Sequence, residues 1–319
     1  MSARESNSRV GLRSRRDFVR ASVGLAGGLA LSQLSCALWS ASRRGGGAAR
    51  FGIVTDCHYA DAETVGSRYY RQSLDKLSEC VEAMNGERVD FLIELGDFKD
   101  EDRPAVEEKT ISYLRAAEQV FEKFKRPRFH VVGNHDADSI SKEQFSANVE
   151  NTGIDAGKTY YSFDFKGVHF VVLDANYRAD GADYDHGNFD WTDANIPPAE
   201  LSWLREDLAE ARGPAIVFVH QLLDGTGAHY IRNAAEVRAV LQSSGKVPAV
   251  FQGHQHSGGY SQMEGIHYYT LKAVVEGPGE EDNAYAVVEV RPDGCIIVAG
   301  YRKAVSRRMA ASTVRPAFS

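Results

Sequence analysis

Short apolar runs, each ended by a polar residue or a glycine, recur along the chain from residue 50 onward. In the first two thirds of this region they are Phe51–Thr55, Asp90–Leu95, Phe129–Val132, Val168–Leu173, Ala215–Val219 and Pro248–Gln252. Short apolar runs without strict alternation are typical of strands that are buried on both faces. The pattern therefore predicts a series of buried strands.

Helical periodicity separates several of these runs. Tyr70, Leu74, Leu77, Val81 and Met84 recur at steps of three and four, which places them on one helical face. The same spacing is found at Leu114, Ala117, Phe121 and Phe124, and again at Leu201, Leu204 and Leu208. Pro198 suits the first turn of the last of these helices. Alternation of strands and helices predicts an α/β fold in which helices cover a central sheet.

The last third of the chain has a different pattern. It contains four strand-like segments, Tyr260–Met263, His267–Leu271, Ala284–Val290 and Cys295–Ala299, with a turn signal at Pro292-Asp293-Gly294. We interpret these segments as a β-meander, so that two packed sheets flanked by helices are expected. No pattern follows Val305. The predicted organisation is a domain over residues 49–304 and a disordered tail over residues 305–319.

Residues 1–48 have the features of an export signal and a linker. Arg15 and Arg16 precede a weakly apolar stretch rich in Gly, Ala and Ser, from Ala21 to Trp39. This arrangement resembles a twin-arginine signal, which implies export by the machinery that carries folded proteins to the periplasm or beyond. A retained membrane anchor is the alternative, although the stretch is barely long enough to span a bilayer. Ser35-Cys36-Ala37 fits a signal-peptidase site, whereas Leu34-Ser35-Cys36 would fit a lipoprotein site.

The charge distribution limits the classes of partner. The 319 residues carry a net charge of −7, but residues 1–47 hold eight Arg and two acids, so the remainder carries −13, the difference between −7 and +6. An acidic body argues against nucleic acid as a partner, because nucleic-acid binding needs basic surface. Small anionic substrates remain compatible where bound metal ions supply the positive charge. The four cysteines form no CxxC pair, and one disulfide of undetermined pairing is possible.

Residues of the types that bind metal ions directly follow the predicted strands. The five blocks are Asp56-Cys57-His58, Gly96-Asp97, Gly133-Asn134-His135-Asp136, Val219-His220 and Gly253-His254-Gln255-His256. Each block alone is a weak signal, but strands that end at one edge of a sheet would bring all five together. The ordered set predicts a site that holds two metal ions and hydrolyses phosphate esters. Asp61 and Asp174 also follow apolar residues, and we interpret them as structural or supporting residues.

The ordered set resembles the calcineurin-like metallophosphoesterase superfamily. The pattern D-x-H, G-D, G-N-H-[DE], H, G-H-x-H is matched in order from Asp56 to His256. The resemblance implies a four-layer α/β/β/α sandwich of two mixed sheets flanked by helices. It also implies two sets of ligands for two divalent ions, namely Asp56, His58 and His256 for one and Asn134, His220 and His254 for the other, with Asp97 bridging both. Mixed imidazole and carboxylate ligands suit Mn, Fe, Zn or Co.

The resemblance also suggests a catalytic pair. A water between two divalent ions loses proton affinity and becomes a nucleophile near neutral pH. His135 would face the leaving group and either donate a proton or stabilise the phosphoryl oxygens. Asp136 is expected to orient the imidazole of His135. A metal-dependent binding protein without activity is the competing class, and the presence of His135 argues against it.

A narrower resemblance concerns the substrate. Arg68-Tyr69-Tyr70-Arg71 and the segment Gly253 to Tyr260 resemble the manganese-dependent ADP-ribose/CDP-alcohol diphosphatase group, which cleaves pyrophosphate bonds in nucleoside-diphosphate compounds. Many members of that group have Gln at the position of His58, so a plain phosphomonoesterase or phosphodiesterase is the alternative. Arg68, Tyr69 and Arg71 are candidate substrate-binding residues, as a phosphate clamp or a stacking surface. The alternative is a helix N-terminus with Tyr70 in the core.

Overall fold

The computed structural model describes residues 47–310, and these residues form twelve strands and five α-helices. The strands are β1 (Ala49–Val54), β2 (Phe91–Glu94), β3 (Arg128–His130), β4 (Tyr161–Phe165), β5 (Val168–Val172), β6 (Ala215–Val219), β7 (Ala249–Gln252), β8 (Gly259–Met263), β9 (Ile266–Thr270), β10 (Ala284–Val290), β11 (Ile296–Arg302) and β12 (Arg307–Met309). The helices are α1 (Ser73–Glu87), α2 (Glu107–Phe121), α3 (Lys142–Ser146), α4 (Pro198–Glu210) and α5 (Ala234–Ser244).

The strands form two mixed sheets of six. The first has the spatial order β12-β11-β10-β1-β2-β3, and the second has the order β4-β5-β6-β7-β9-β8. In the first sheet, β1, β2 and β3 run parallel, while β10 pairs antiparallel with β1. In the second sheet, β5, β6, β7 and β9 run parallel. Each sheet therefore has a block of parallel strands whose carboxyl ends meet at one edge, where ligand sites form in open α/β sheets.

The two sheets pack against each other through aromatic side chains. The ring of Phe51 in β1 stacks on that of Phe91 at 5.0 Å and meets Phe170 and Phe218 of the second sheet edge-on, each at 5.5 Å between ring centroids. These four side chains are fully buried. Offset and edge-to-face contacts between aromatic rings add to the free energy gained by burial. This inner core joins the two sheets.

Helices cover the outer face of each sheet. Leu77 and Met84 of α1 and Leu114 of α2 pack on the first sheet, while Leu204 of α4 and Val237 of α5 pack on the second. The predicted α/β/β/α sandwich is confirmed. Within residues 47–310, no helix is long and apolar enough to cross a membrane. Cys57, Cys80 and Cys295 are buried free thiols; Cys36 and the predicted export signal lie outside the described residues.

The predicted C-terminal meander is wrong in one respect. Strands β8 and β9 form a hairpin in the second sheet, whereas β10 to β12 belong to the first sheet. The chain passes from the second sheet to the first after β9, because β10 pairs with β1. Phe51 lies opposite Val288 in this pair, although the two residues are far apart in the sequence. The alternation of apolar residues identified the strands but carries no information on which distant strand each one joins.

The predicted boundary between domain and tail is also wrong. Arg307–Met309 forms the edge strand β12, which pairs antiparallel with β11, and Met309 is 1% exposed. The segment was too short for its alternation to be recognised. Residues 311–319, the rest of the predicted tail, lie outside the described residues. Strand β4 and helices α3 and α5 were not predicted either, since their apolar residues are few or mixed with polar ones.

Candidate metal centre

The loops that follow five parallel strands bring the predicted metal ligands to one edge of the sandwich. Asp56 and His58 follow β1, Asp97 follows β2, Asn134 follows β3, His220 follows β6, and His254 and His256 follow β7. Six of the seven are buried, with 0 to 8% of their surface exposed. The His256 side chain is 17% exposed and forms part of the rim.

The backbone at the ligands is held in an uncommon conformation. Asp56, His58, Asp97 and His254 have φ between 45° and 65°, a left-handed region that costs free energy for residues other than Gly. Hydrogen bonds between the loops hold the first two, from the N–H of Asp56 to Gly96 O at 3.0 Å and from the N–H of His58 to Asp97 O at 2.9 Å. Such strain persists where the surrounding structure fixes it, and functional sites are common places for it.

The first ligand group consists of Asp56, His58 and His256. The Nε2 atoms of the two histidines lie 3.2 Å apart. Asp56 Oδ1 lies 3.8 Å from His58 Nε2 and 3.5 Å from His256 Nε2. The three donor atoms can therefore bind one ion together.

The second ligand group lies on the other side of Asp97. His220 Nε2 is 3.1 Å from Asp97 Oδ2 and 3.2 Å from His254 Nδ1. Asp97 Oδ2 is also 3.4 Å from His58 Nε2, which belongs to the first group. Asn134 Oδ1 is buried and has no hydrogen-bond partner among the described residues. A buried carbonyl oxygen without a donor needs a partner, and a cation at this position would supply one.

The outer nitrogens of three histidines are occupied by hydrogen bonds to oxygen atoms. His58 Nδ1 lies 3.1 Å from Asp100 Oδ2, His220 Nδ1 lies 2.8 Å from Leu95 O, and His256 Nδ1 lies 2.6 Å from Glu276 Oε1. Metal-binding histidines commonly donate their second ring N–H in this way, which fixes the orientation of the ring and leaves the other nitrogen for the ion. The residues present therefore fit a pair of divalent ions.

The electrostatics of the ligand groups favour cations. Burial opposes ionisation of Asp56, but the neighbouring histidines lower its pKa to about 2. Burial also opposes a charge on His220, yet Asp97 raises the pKa of that imidazole to about 10. For His254, burial and the nearby His220 lower the pKa to about 3. The carboxylates stay ionised at neutral pH, and the site gains from positive charge placed between them.

His135 lies beside Asp97 and His58, and its side chain is 27% exposed. Its backbone N–H donates to Asp97 Oδ1 at 2.7 Å, and its ring centroid is 4.6 Å from that of His58. Nδ1 faces two carboxylates, Asp100 Oδ1 at 3.6 Å and Asp138 Oδ2 at 3.5 Å. Burial disfavours the charged imidazole, but Asp97 and these carboxylates raise the pKa of His135 well above its usual value. The ring can therefore carry a proton at neutral pH.

The predicted role of Asp136 is wrong. Its Oδ2 accepts hydrogen bonds from the backbone N–H groups of Asp97 at 2.9 Å and Gly133 at 2.8 Å, and its Oδ1 accepts one from Phe98 at 2.9 Å. Asp136 therefore ties the loop after β2 to the loop after β3. Residues 135–137 form a single 3-10 turn, in which neighbouring side chains point in different directions. Asp100 and Asp138 lie where Asp136 was expected.

Three carboxylates at the site, Asp100, Asp138 and Glu276, were not predicted from the sequence. Asp100 is three residues beyond Asp97 in the same loop, a spacing that could have drawn attention to it. Glu276 lies between β9 and β10, where no pattern marks it, and its position was not predictable. Its contact with His256 lowers the pKa of its carboxyl to about 2.

Of the candidate substrate-binding residues, Arg68 and Tyr69 contact the segment that carries Glu276, and none of the three belongs to a ligand group. Arg68 forms an isolated backbone bridge with Glu276, and the N–H of Tyr69 donates to Val275 O at 2.9 Å. Arg71 instead forms surface ion pairs with Asp61 and Glu63.

The neighbouring residues that we interpreted as structural are buried in the core or paired with other structural residues. Tyr70 is 7% exposed and lies in the core. Asp174 is fully buried, and its Oδ2 lies 2.7 Å from Lys142 Nζ. The side chain of Cys57 is part of the apolar core on the helix side of the first sheet. None of these residues contributes to the metal-ligand groups.

Comparisons with known proteins match this arrangement. Residues 49–258 match the calcineurin-like phosphoesterase family. A manganese-dependent ADP-ribose/CDP-alcohol diphosphatase from Oryza sativa subsp. japonica is 28% identical over 292 residues, which covers 78% of this chain and 90% of that protein. The protein of the same name from Homo sapiens is 26% identical over 300 residues, covering 76% of this chain and 87% of its own.

The fold has a close counterpart among solved structures. The crystal structure of a dimetal phosphatase from Danio rerio superposes with a TM-score of 0.70 at 21% identity, over 82% of this chain and 99% of that one. The order of the ligand blocks, the four-layer sandwich and the family match over residues 49–258 agree. This chain belongs to the calcineurin-like phosphoesterase family.

Proposed function

We propose that this protein, a metal-dependent phosphoester hydrolase, acts on the phosphoanhydride bond of small nucleoside-diphosphate compounds such as ADP-ribose or a CDP-alcohol. The observation that carries the hydrolase activity is the pair of ligand groups that share Asp97, with His135 beside them. The choice of substrate is supported by the names of the relatives that match most of the chain. The identity of the metal stays open among Mn, Fe and Zn, and Mn is the first to test.

The chain's own residues have separable roles in this reaction. Two divalent ions, when bound, supply the charge that stabilises the phosphoryl oxygens and activates a water. Asp97 and the histidines would hold the two ions, and in this way they would fix where the reacting group binds. His135 supplies a proton to the leaving oxygen, while Asp100 and Asp138 face its Nδ1 and keep the other nitrogen directed at the substrate.

A phosphomonoesterase or phosphodiesterase is the second candidate, and one residue favours it. His58 gives the first ligand group two imidazoles at a position where the diphosphatase group often has Gln. An imidazole binds a divalent transition metal more strongly than an amide does, and this changes the charge and affinity of the first site. The same site would then hydrolyse phosphomonoesters or phosphodiesters.

Kinetics on a small panel of substrates tests the choice between these functions. The Mn²⁺-loaded protein is assayed with ADP-ribose, CDP-choline, bis-p-nitrophenyl phosphate and p-nitrophenyl phosphate. We expect kcat/KM for ADP-ribose or CDP-choline to exceed that for either nitrophenyl ester. A preference for a nitrophenyl ester would establish the second candidate, and metal-dependent binding without turnover of any of the four would support a non-catalytic protein.

We also propose that the protein is exported through the twin-arginine pathway. The support is the sequence alone, Arg15-Arg16 followed by a mild apolar stretch. The test expresses the full chain and an R15K/R16K variant in a bacterial host with an active translocase, and follows the protein in the periplasm. Export that is unaffected by the double substitution would contradict the proposal. Mass spectrometry of the exported protein would separate cleavage near Ala37 from lipidation at Cys36.

A further inference from the structure

A cavity lies next to the last block of metal ligands. Its volume is about 240 Å³, and its walls come from residues 257–260, residues 269–272 and the start of β12. Complete small-molecule pockets typically measure roughly 300–1,000 Å³. This cavity is therefore of a size to take part of a ligand, with the rest of that ligand outside it.

The cavity is connected to the metal ligands through the chain. Ser257 directly follows His256, and the N–H of Ala273, next to Lys272, donates to His256 O at 3.1 Å. In the parallel pair β7–β9, Gln252 lies opposite Thr270, so that His254 and Lys272 follow their strands at matching positions. Lys272 thus lies at the same edge of the sheet as the ligands.

The cations of this cavity have no anionic partner in the structure. Lys272 and Arg307 are the only charged residues of the lining, and neither forms an ion pair or a side-chain hydrogen bond within residues 47–310. The guanidinium carbon of Arg307 lies 3.6 Å from the centroid of the Tyr260 ring, and its Nε is buried without a hydrogen-bond partner. A buried donor without a partner costs free energy, so an anion supplied from outside would be stabilised here.

Several arginines elsewhere in the described chain, unlike this pair, are held by carboxylates. The net charge is −7, and other arginines of the body, such as Arg302 and Arg71, are held by nearby carboxylates. Two unpaired cations at one cavity give it a local positive potential that attracts anions.

One glycine of the loop, Gly258, leaves room for Lys272. Gly258 has φ of 69°, and a Cβ on it would lie 2.8 Å from Lys272 Cγ. A side chain at this position would push Lys272 away from the cavity. The hydroxyls of Ser257 and Thr270 add polar groups to the same wall, while Tyr260 and Tyr269 make the rest aromatic. The lining thus suits an anionic group attached to an organic molecule.

We propose that this cavity binds the non-reacting phosphate of a diphosphate substrate while the phosphoryl group that reacts lies at the metal ligands. The proposal rests on the proposed hydrolase function and adds to it the residues that would select substrates with a second phosphate. Lys272 supplies a mobile ammonium, and Arg307 supplies a fixed guanidinium whose fork suits phosphate oxygens.

Kinetics of Lys272→Met and Arg307→Met test the proposal. Loss of a charge-assisted hydrogen bond should raise KM for ADP-ribose or CDP-choline roughly ten- to hundredfold. The rise for p-nitrophenyl phosphate should be at least about tenfold smaller, because that substrate has no second phosphate. Arg308→Met is the matched control: it removes a neighbouring arginine of β12 that is exposed and does not line the cavity. Equal effects on both substrates, or the same effect from Arg308→Met, would overturn the proposal.

Binding measured without turnover separates this proposal from the proposed function. The probe is α,β-methylene-ADP, a diphosphate that is not hydrolysed at that bond, titrated calorimetrically into each metal-loaded protein. At least about tenfold weaker binding to Lys272→Met or Arg307→Met, with unchanged binding to Arg308→Met, supports the cavity even where no diphosphate is turned over. Equal affinity of all four proteins contradicts it. Arg307→Gln provides a second variant that keeps polarity should Arg307→Met fold poorly.

Discussion

At the scale of single residues, the contacts of His135 distinguish an acid from a ligand. The ring lies near Asp97 and His58, close enough to be counted with them as a possible metal-binding group. Its Nδ1 nevertheless faces Asp100 and Asp138, as expected of a proton donor held in place. If His135 is an acid, its substitution should lower kcat and leave the metal bound. If it is a ligand, its substitution should release metal.

We predict that His135→Gln lowers kcat by about 10²- to 10⁴-fold, the range typical of general acid catalysis. The metal content, measured by inductively coupled plasma mass spectrometry, should stay at the parent value. His186→Gln is a suitable control, because His186 is exposed and is not in a metal-ligand group. Loss of one ion in His135→Gln would make this residue a ligand instead of an acid.

The structure assigns Asp136 to the stability of the site. Its carboxylate accepts three backbone N–H groups of the loops after β2 and β3. We predict that Asp136→Ala lowers the free energy of unfolding by about 3 kcal/mol or more, because each buried donor left without a partner costs about 1–3 kcal/mol. Urea unfolding of the metal-free protein checks this. Parent-like stability together with a large loss of kcat would restore the role predicted from the sequence.

The metal ligands were easier to predict from the sequence than the residues that hold the ligands and their loops in place. The ligands follow strands, and strand ends of a parallel sheet meet at one edge, so order along the chain was sufficient. Which residues hold the ligands in place depends on the direction that each side chain takes within a tight turn. Asp136 adjoins His135 in sequence but binds the backbone of other loops, whereas Glu276 reaches His256 across 20 residues.

At the scale of elements, the segment 273–277 connects both halves of the first ligand group. Its N–H groups donate from Val275 to Asp56 O at 3.1 Å and from Ala273 to His256 O at 3.1 Å. Lys76 of α1 is 1% exposed, and its Nζ donates to the carbonyls of residues 274, 276 and 277 at 2.8, 3.1 and 2.6 Å. The helix thereby holds the segment that carries Glu276.

We predict that Lys76→Met weakens the affinity for one of the two ions by about 10- to 100-fold, as loss of support around a metal site commonly does. Lys246→Met is a close control, since Lys246 Nζ also donates to three carbonyls, at residues 208, 209 and 211, at the end of α4. Both variants lose an ammonium group that donates to three backbone carbonyls. A metal titration of the two therefore shows whether the position of Lys76 near the ligands matters. Equal weakening in both, or in neither, would contradict the role of Lys76.

The positions of the strands could be predicted from the sequence more accurately than their pairing. Strands with continuous apolar runs were predicted nearly to the residue, because burial on both faces dictates their composition. The strands of the last third were identified but not their partners. Strand β12 was not predicted, because three residues do not establish a period. Its first residue, Arg307, nevertheless lines the cavity beside the metal ligands.

At the scale of the whole molecule, a buried histidine links stability to pH. His130 is 1% exposed and lies 3.1 Å from Glu118 Oε2 and 3.7 Å from Glu94 Oε2. Burial opposes its charge, but Glu118 raises its pKa to about 9. Burial raises the pKa of Glu94 to about 8.

The signs of these shifts determine the pH dependence. The folded pKa of His130 exceeds its usual value of 6.5, so its contribution is complete below pH 6.5 and is lost as pH rises through about 9. A raised pKa at Glu94 acts in the same direction between pH 4.5 and about 8. We predict that urea unfolding of the parent shows falling stability from pH 6.5 to 9, and that His130→Gln reduces this slope. An equal slope in both proteins would contradict the prediction.

The central claim concerns the whole molecule, because it requires both sheets to contribute to one centre. Anomalous diffraction from Mn²⁺-loaded crystals tests it most directly. We predict two Mn peaks about 3.5–4 Å apart, a spacing typical of two-metal sites. One should lie at Asp56, His58 and His256, the other at Asn134, His220 and His254, and Asp97 should lie between them. A single peak at full loading, or two peaks that do not share Asp97, would contradict the claim.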